Sequence, residues 1–116
     1  MNLSDCFVPE SAIDYDAVMA RGGANSGDED FAFFKCPACK AVYLMEYEDD
    51  TVYLDGRDLS QRLGTAAIDQ GFICTHCHRL IPNGIWIGPR AEERFQVTWR
   101  ELQASAWAWA VTELNR

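Results

Sequence analysis

Positive charge is scarce in this sequence. Ten Lys and Arg stand against 18 Asp and Glu, a formal net charge of −8, so phosphate backbones and anionic membrane surfaces repel the chain as a whole. No block of five or more basic residues creates a local exception. Long apolar runs are missing as well. Nothing approaches the roughly 18 consecutive apolar residues of a membrane span, and Met1 to Pro9 has neither the basic start nor the apolar stretch of a secretory signal. The cytoplasm is therefore the expected compartment, where thiols stay reduced. Histidine is limited to His76 and His78. The sequence shows no Ser–His–Asp or Cys–His–Asn pattern, no H-x-E and no glycine-rich phosphate loop. Those absences disfavour triad hydrolysis, zinc-dependent deamination and P-loop nucleotide chemistry, and the expected function is non-catalytic.

What remains is enough for a folded domain. The chain has 116 residues, 48% hydrophobic and 12% aromatic, which fits one short domain and is unlike a disordered tail. A domain of this size gains from a metal staple. Five cysteines are present. Four form two close pairs, Cys36-Pro37-Ala38-Cys39 and Cys74-Thr75-His76-Cys77, and Cys6 stands alone near the start. In a reducing compartment two C-x-x-C pairs read as ligands rather than disulfides. Two residues between cysteines let both sulfurs face one point. Four thiolates suit a single tetrahedral Zn²⁺ at about 2.3 Å per bond. The metal ligands are thus expected to be Cys36, Cys39, Cys74 and Cys77, with one structural zinc ion.

The residues around the pairs resemble a known architecture. F-K-C-P-A-C-K-A-V-Y and F-I-C-T-H-C-H-R-L-I-P look like the two knuckles of the zinc-ribbon or rubredoxin-like group. Each has an aromatic two residues before the pair and an apolar residue three after it, Val42 and Leu80. The resemblance covers about residues 31–88 and implies a metal-site architecture, not an activity, because the group includes transcription, ribosomal, electron-transfer and purely structural members.

Organisation along the chain follows. Residues 1–30 are expected to be a flexible N-terminal arm ending in an acidic, glycine-rich linker, with a short helix begun by Ser11 and Asp14 and ended by Gly22. Residues 31–90 form the ribbon. Strands are expected at Phe31–Lys35, Ala41–Tyr47 and Thr51–Leu54, the last two making a hairpin over Glu48-Asp49-Asp50, and at Ile85–Ile87. Asp55–Leu63 is polar and fits a helical turn. Residues 91–116 hold a C-terminal helix packed on the ribbon, running from about Trp99 to Leu114. Thr98 and Glu101 form a T-x-x-E capping box at its start. The expected fold class is α+β: a small antiparallel zinc ribbon of three to five strands with that helix.

Other readings of the same residues remain open. Iron fits the same four ligands, which makes a rubredoxin-like electron carrier the first alternative. Rubredoxins place Gly just after the second cysteine of each knuckle, whereas Lys40 and His78 stand here. Cys74-Thr75-His76-Cys77-His78 is formally the C-x-x-C-H of covalent haem attachment, although that chemistry goes with export and leaves the first pair unexplained. His76 or His78 could replace a cysteine as ligand. An acidic hairpin tip, Glu46, Glu48, Asp49 and Asp50, resembles those of some transcription-elongation zinc ribbons, and a transcription-accessory role is the second alternative. Outside the metal site, Trp99, Trp107 and Trp109 are the candidate partner surface, for a protein partner or a second copy of the chain. Trp107 and Trp109 lie about 200° apart on a straight helix, so both cannot face one core.

Overall fold

Strands form where apolar residues run without interruption. The computed structural model describes residues 5–22, 31–46, 51–64, 69–82 and 92–111. Within them, β1 (Phe31–Lys35), β2 (Val42–Glu46), β3 (Thr51–Tyr53) and β4 (Arg62–Leu63) pair in that order as an antiparallel sheet. β5 (Phe72–Ile73) and β6 (Leu80–Ile81) form a separate two-stranded hairpin. The registers Phe33↔Leu44, Leu44↔Tyr53 and Val52↔Leu63 fix which side chains share a face.

The four-stranded sheet is covered on both faces, so its strands read as continuous apolar runs rather than alternating ones. On one face Phe34, Tyr43, Met45 and Val52 pack with Phe72, Ile81 and Phe95. On the other, Phe31, Val42, Leu44 and Tyr53 pack with Ala12, Val18, Trp99, Leu102 and Trp107. The first core holds Cys36 and Cys74.

Residues 5–14 of the N-terminal segment are hydrogen-bonded to the C-terminal segment. Val8 N–H donates to Val97 O at 2.8 Å, Trp99 N–H to Cys6 O at 3.0 Å and Asp14 N–H to Ala110 O at 2.7 Å. Residues 5–14 thus run beside the C-terminal segment, with bridges at Phe7↔Thr98 and Ile13↔Val111. The bridge holds Ile13 extended, so the helix starts after it: α1 spans Tyr15–Ala20, and Asp14 rather than Ser11 caps it by accepting from Ala17 N–H at 3.1 Å. Gly22 follows at φ +98°. The glycine-rich stretch 23–30, the acidic tip residues 48–50 and the strand expected at 85–87 lie outside the described residues. Glu46, grouped with that tip from sequence, is instead fully buried in β2. Asp55–Leu63 turns without forming a helix and ends in β4.

The C-terminal helix is also shorter than expected. α2 spans only Trp99–Gln103, and a 3₁₀ turn at Ala108–Ala110 follows it. Its start is as read from sequence, with the full capping box of Thr98 and Glu101. Ser105 ends it. Its hydroxyl donates to Leu102 O at 2.6 Å and accepts from Trp107 N–H at 3.1 Å, a local alternative to the helical bonds. The break resolves the conflict between the two tryptophans. Trp107 and Trp109 lie side by side with centroids 5.8 Å apart.

The break also brings the chain against Gly56. A Cβ there would overlap Ala106 O and stand 2.7 Å from Ala106 C, both backbone atoms. Gly56→Ala is therefore expected to cost about 1–3 kcal/mol. Gly64→Ala, with open space around it, should change the urea midpoint little. Equal midpoints for the two variants would contradict this packing.

One ion pair ties α2 to β1. Lys35 Nζ contacts both Glu101 carboxylate oxygens, at 2.8 and 2.7 Å, with the side chains only 11% and 16% exposed. Burial pushes the Glu101 carboxyl up, but the Lys35 ammonium and Thr98 N–H outweigh it and hold it below its ordinary value. A carboxyl lowered by folding stabilises the fold above its unfolded value, here 4.5, and that contribution fades as pH falls through the lower folded value. Glu101→Gln is expected to lose about 2–3 kcal/mol at pH 7. The deficit relative to wild type should shrink below pH 4.5. Urea midpoints of both proteins across pH check this, and a deficit independent of pH would contradict it.

Candidate metal centre

Each cysteine pair lies in the loop of a hairpin. The closing pairs are Lys35↔Val42 and Ile73↔Leu80, so Cys36–Ala41 and Cys74–Arg79 are loops of equal length. Their backbone bonds correspond. Cys36 N–H donates to Ala41 O and Cys74 N–H to Arg79 O, both at 2.9 Å. Lys40 N–H returns to Cys36 O at 2.7 Å and His78 N–H to Cys74 O at 3.0 Å. Lys40 and His78 take φ +66° and +63°, the left-handed conformation that costs a non-glycine residue about 1–2 kcal/mol. Both loops thus reach the left-handed conformation at the same position without glycine.

Aromatic packing brings the loops together. Phe34 and Phe72, each two residues before a pair, meet edge to face with centroids 6.2 Å apart, and Tyr43 lies 5.4 Å from both. The apolar residues three after each pair differ: Val42 is buried, while Leu80 is 61% exposed.

The four sulfurs of Cys36, Cys39, Cys74 and Cys77 lie within 4.8 Å of one another. Cys36 and Cys77, and Cys39 and Cys74, are 3.6 Å apart. Bonds of about 2.3 Å to a tetrahedral ion give sulfur separations of about 3.8 Å, so the donor set and its size fit such an ion. All four cysteines are free thiols. Cys6 is half-buried against the second core. His76 and His78 are exposed and outside the cluster. Engagement of both Cys74 and Cys77 with the first pair is unlike what a haem thioether site requires.

Polar groups around the sulfurs differ from one to the next. Cys39 is exposed as a residue, but desolvation of its thiol and the neighbouring Cys74, Cys77 and Cys36 sulfurs push it up to about 12, against the pull of Ala41 N–H. Burial also pushes Cys36 up, opposed by the N–H groups of Cys39 and Ala38. At Cys74 burial acts in the same direction but is overcome: the Tyr43 hydroxyl and the N–H groups of Cys77 and His76 draw it down to about 6. His76 N–H stands 3.4 Å from Cys74 Sγ. One sulfur thus favours the thiolate before any ion arrives.

The three C-terminal tryptophans differ in burial. Trp99 and Trp107 are buried. Trp107 Nε1–H donates to Val42 O at 3.1 Å. Trp109 is half-buried, with Nε1–H on Gly56 O at 2.9 Å and the Arg21 guanidinium 4.0 Å from its ring. Beside the cluster a cleft of about 610 Å³ is lined by Cys39, Lys40, Thr75, His76, Glu101 and Trp107, among others. Sequence reasoning missed Tyr43 and the Lys35–Glu101 pair. Strand alternation places Tyr43 on the face of Phe34, but nothing local signals its contact with a residue 31 positions away.

Fold and site together define a small α+β protein with a four-cysteine cluster at metal-binding spacing. No described helix is long and apolar enough to cross a membrane. Compared with protein-family models, curated proteins and solved structures, the chain matches none.

Proposed function

We propose that Cys36, Cys39, Cys74 and Cys77 hold one structural zinc ion, and that the protein is a non-catalytic, zinc-ribbon-like scaffold for protein interaction. The observation that carries the metal reading is the convergence of two hairpin loops of matching backbone on one point, with four sulfurs inside 4.8 Å. Four protein thiolates leave no open coordination position, which favours a structural over a catalytic ion. The ion would join β5–β6, a hairpin of two-residue strands too short to stand alone, to the main sheet.

Metal analysis of protein purified from its native cell tests this. One zinc per chain is expected. Protein with no metal and four freely reactive thiols would sink the proposal. Iron in its place, with a reversible redox couple, would select the rubredoxin-like electron carrier instead. The left-handed backbone at Lys40 and His78 is compatible with that second reading, although rubredoxins carry glycine at these positions.

Support for the interaction part is narrower. Of the three C-terminal tryptophans, Trp109 alone is partly exposed, Trp99 and Trp107 being buried. A partner or a second copy at this segment would meet Trp109 and Arg21 rather than Trp99 or Trp107.

A further inference from the structure

We infer that Tyr43 is a positioning residue of the metal centre, its phenol donating a hydrogen bond to Cys74 Sγ and so making that sulfur less electron-rich toward the ion. This rests on the metal reading above and adds an outer contact to it.

The contacts of the phenol oxygen, with the thiolate state of a metal-bound sulfur, give the direction of the bond. Tyr43 Oη lies 3.2 Å from Cys74 Sγ, 3.1 Å from Thr75 Oγ1 and 3.1 Å from Thr75 N. Thr75 N–H can only donate. A phenol oxygen has two acceptor sites and one proton. Thr75 N–H thus takes an acceptor position of the phenol oxygen and leaves the phenol proton for the sulfur or the Thr75 hydroxyl. A metal-bound thiolate carries no proton of its own, so the Tyr43–Cys74 bond is then donated by the phenol. Tyr43 and Cys74 are both fully buried, so water does not compete for the sulfur lone pairs. The ring is held by Phe34 and Phe72, both at 5.4 Å between centroids. The donor is therefore fixed before the ion binds.

The other sulfurs have different partners. Cys36 faces the N–H groups of Ala38 and Cys39, and Cys39 that of Ala41. Cys74 has backbone donors and the phenol as well. Four thiolates around a divalent ion carry a net charge of −2, and each donor aimed at sulfur offsets part of it where solvent is excluded. Removing the phenol should weaken ion binding and raise the energy of the Cys74 lone pairs.

Cobalt(II) as the probe ion separates these effects. Wild-type protein is expected to give the intense visible bands of tetrahedral Co²⁺ with a strong sulfur-to-cobalt charge-transfer band. In Tyr43→Phe that band should move to lower energy, and Co²⁺ affinity should fall about 10-fold, while far-UV circular dichroism of the loaded protein stays unchanged. A purely structural role for Tyr43 would weaken affinity without moving the band. Uniform replacement of tyrosine by 3-fluorotyrosine, a stronger donor of almost the same shape, should move the band the opposite way and covers the case in which Tyr43→Phe folds poorly. Unshifted bands in both proteins, with a normal tetrathiolate spectrum in wild type, would overturn the role of Tyr43 alone. A wild-type chain that gives no such spectrum would overturn the metal reading itself.

Discussion

Cys36→Ser is expected to abolish stoichiometric metal binding and most of the cooperative thermal transition, and the same result is expected at Cys39, Cys74 and Cys77. The size of the effect follows from magnitudes. A structural zinc site contributes on the order of 10 kcal/mol, comparable to the whole stability of a small domain. Removing one thiolate leaves three sulfurs packed together with nothing to balance them. Cys36 and Cys74 are buried in the core that joins the β5–β6 hairpin to the sheet, so solvent cannot compensate. A chelator should reproduce the loss in wild type, and added zinc should reverse it. Cys6→Ser is the control, since Cys6 lies outside the cluster, and its transition should stay close to that of wild type. Calorimetry with metal analysis on these variants checks the prediction. A Cys36→Ser protein with unchanged transition and zinc content would show that the cluster does not hold the ion.

Trp107→Ala is expected to be the most damaging substitution away from the cysteines, at about 3–5 kcal/mol. Trp107 is 1% exposed and occupies the second core between Phe33, at 6.3 Å between centroids, and Trp109. Its indole N–H is also the donor to Val42 O, inside the sheet. Trp107→Phe keeps much of the apolar surface and should lose less, with about 1 kcal/mol of the deficit coming from the hydrogen bond. Urea unfolding of the two variants separates the contributions. A Trp107→Ala midpoint near that of wild type would contradict burial of this side chain. The same argument makes Trp107 unsuitable for a partner test, because any loss of binding would follow from loss of fold. Trp109→Ala, at a half-buried position, is the appropriate variant.

The clustered cysteines were legible because a knuckle is a local object. Cysteine spacing, the aromatic two residues before each pair and the strand-forming residues around it all lie within about ten positions. Strands β1 to β3 were legible for the same reason, from dense runs of aromatic and branched residues. The sequence misled where a local pattern competed with distant contacts. Trp99 to Leu114 has helical spacing throughout, yet Ser105 takes the Leu102 carbonyl and Trp107 turns toward a carbonyl 65 residues away. The Ser11 and Asp14 pattern predicted a helix start that Ile13 prevents by pairing with Val111.

Taken alone, the sequence determined the four cysteines of the cluster, their grouping into two turns, and the strands that carry the first of them. Its acidic balance set the sign of the surface. Tertiary structure decided which side chains are buried, that residues 5–14 run along the C-terminal segment, that Lys35 meets Glu101, and that one phenol reaches one sulfur. The reason is sequence distance. A turn is specified by neighbours a few bonds apart, whereas these contacts join positions tens of residues apart and exist only once both faces of the sheet are covered.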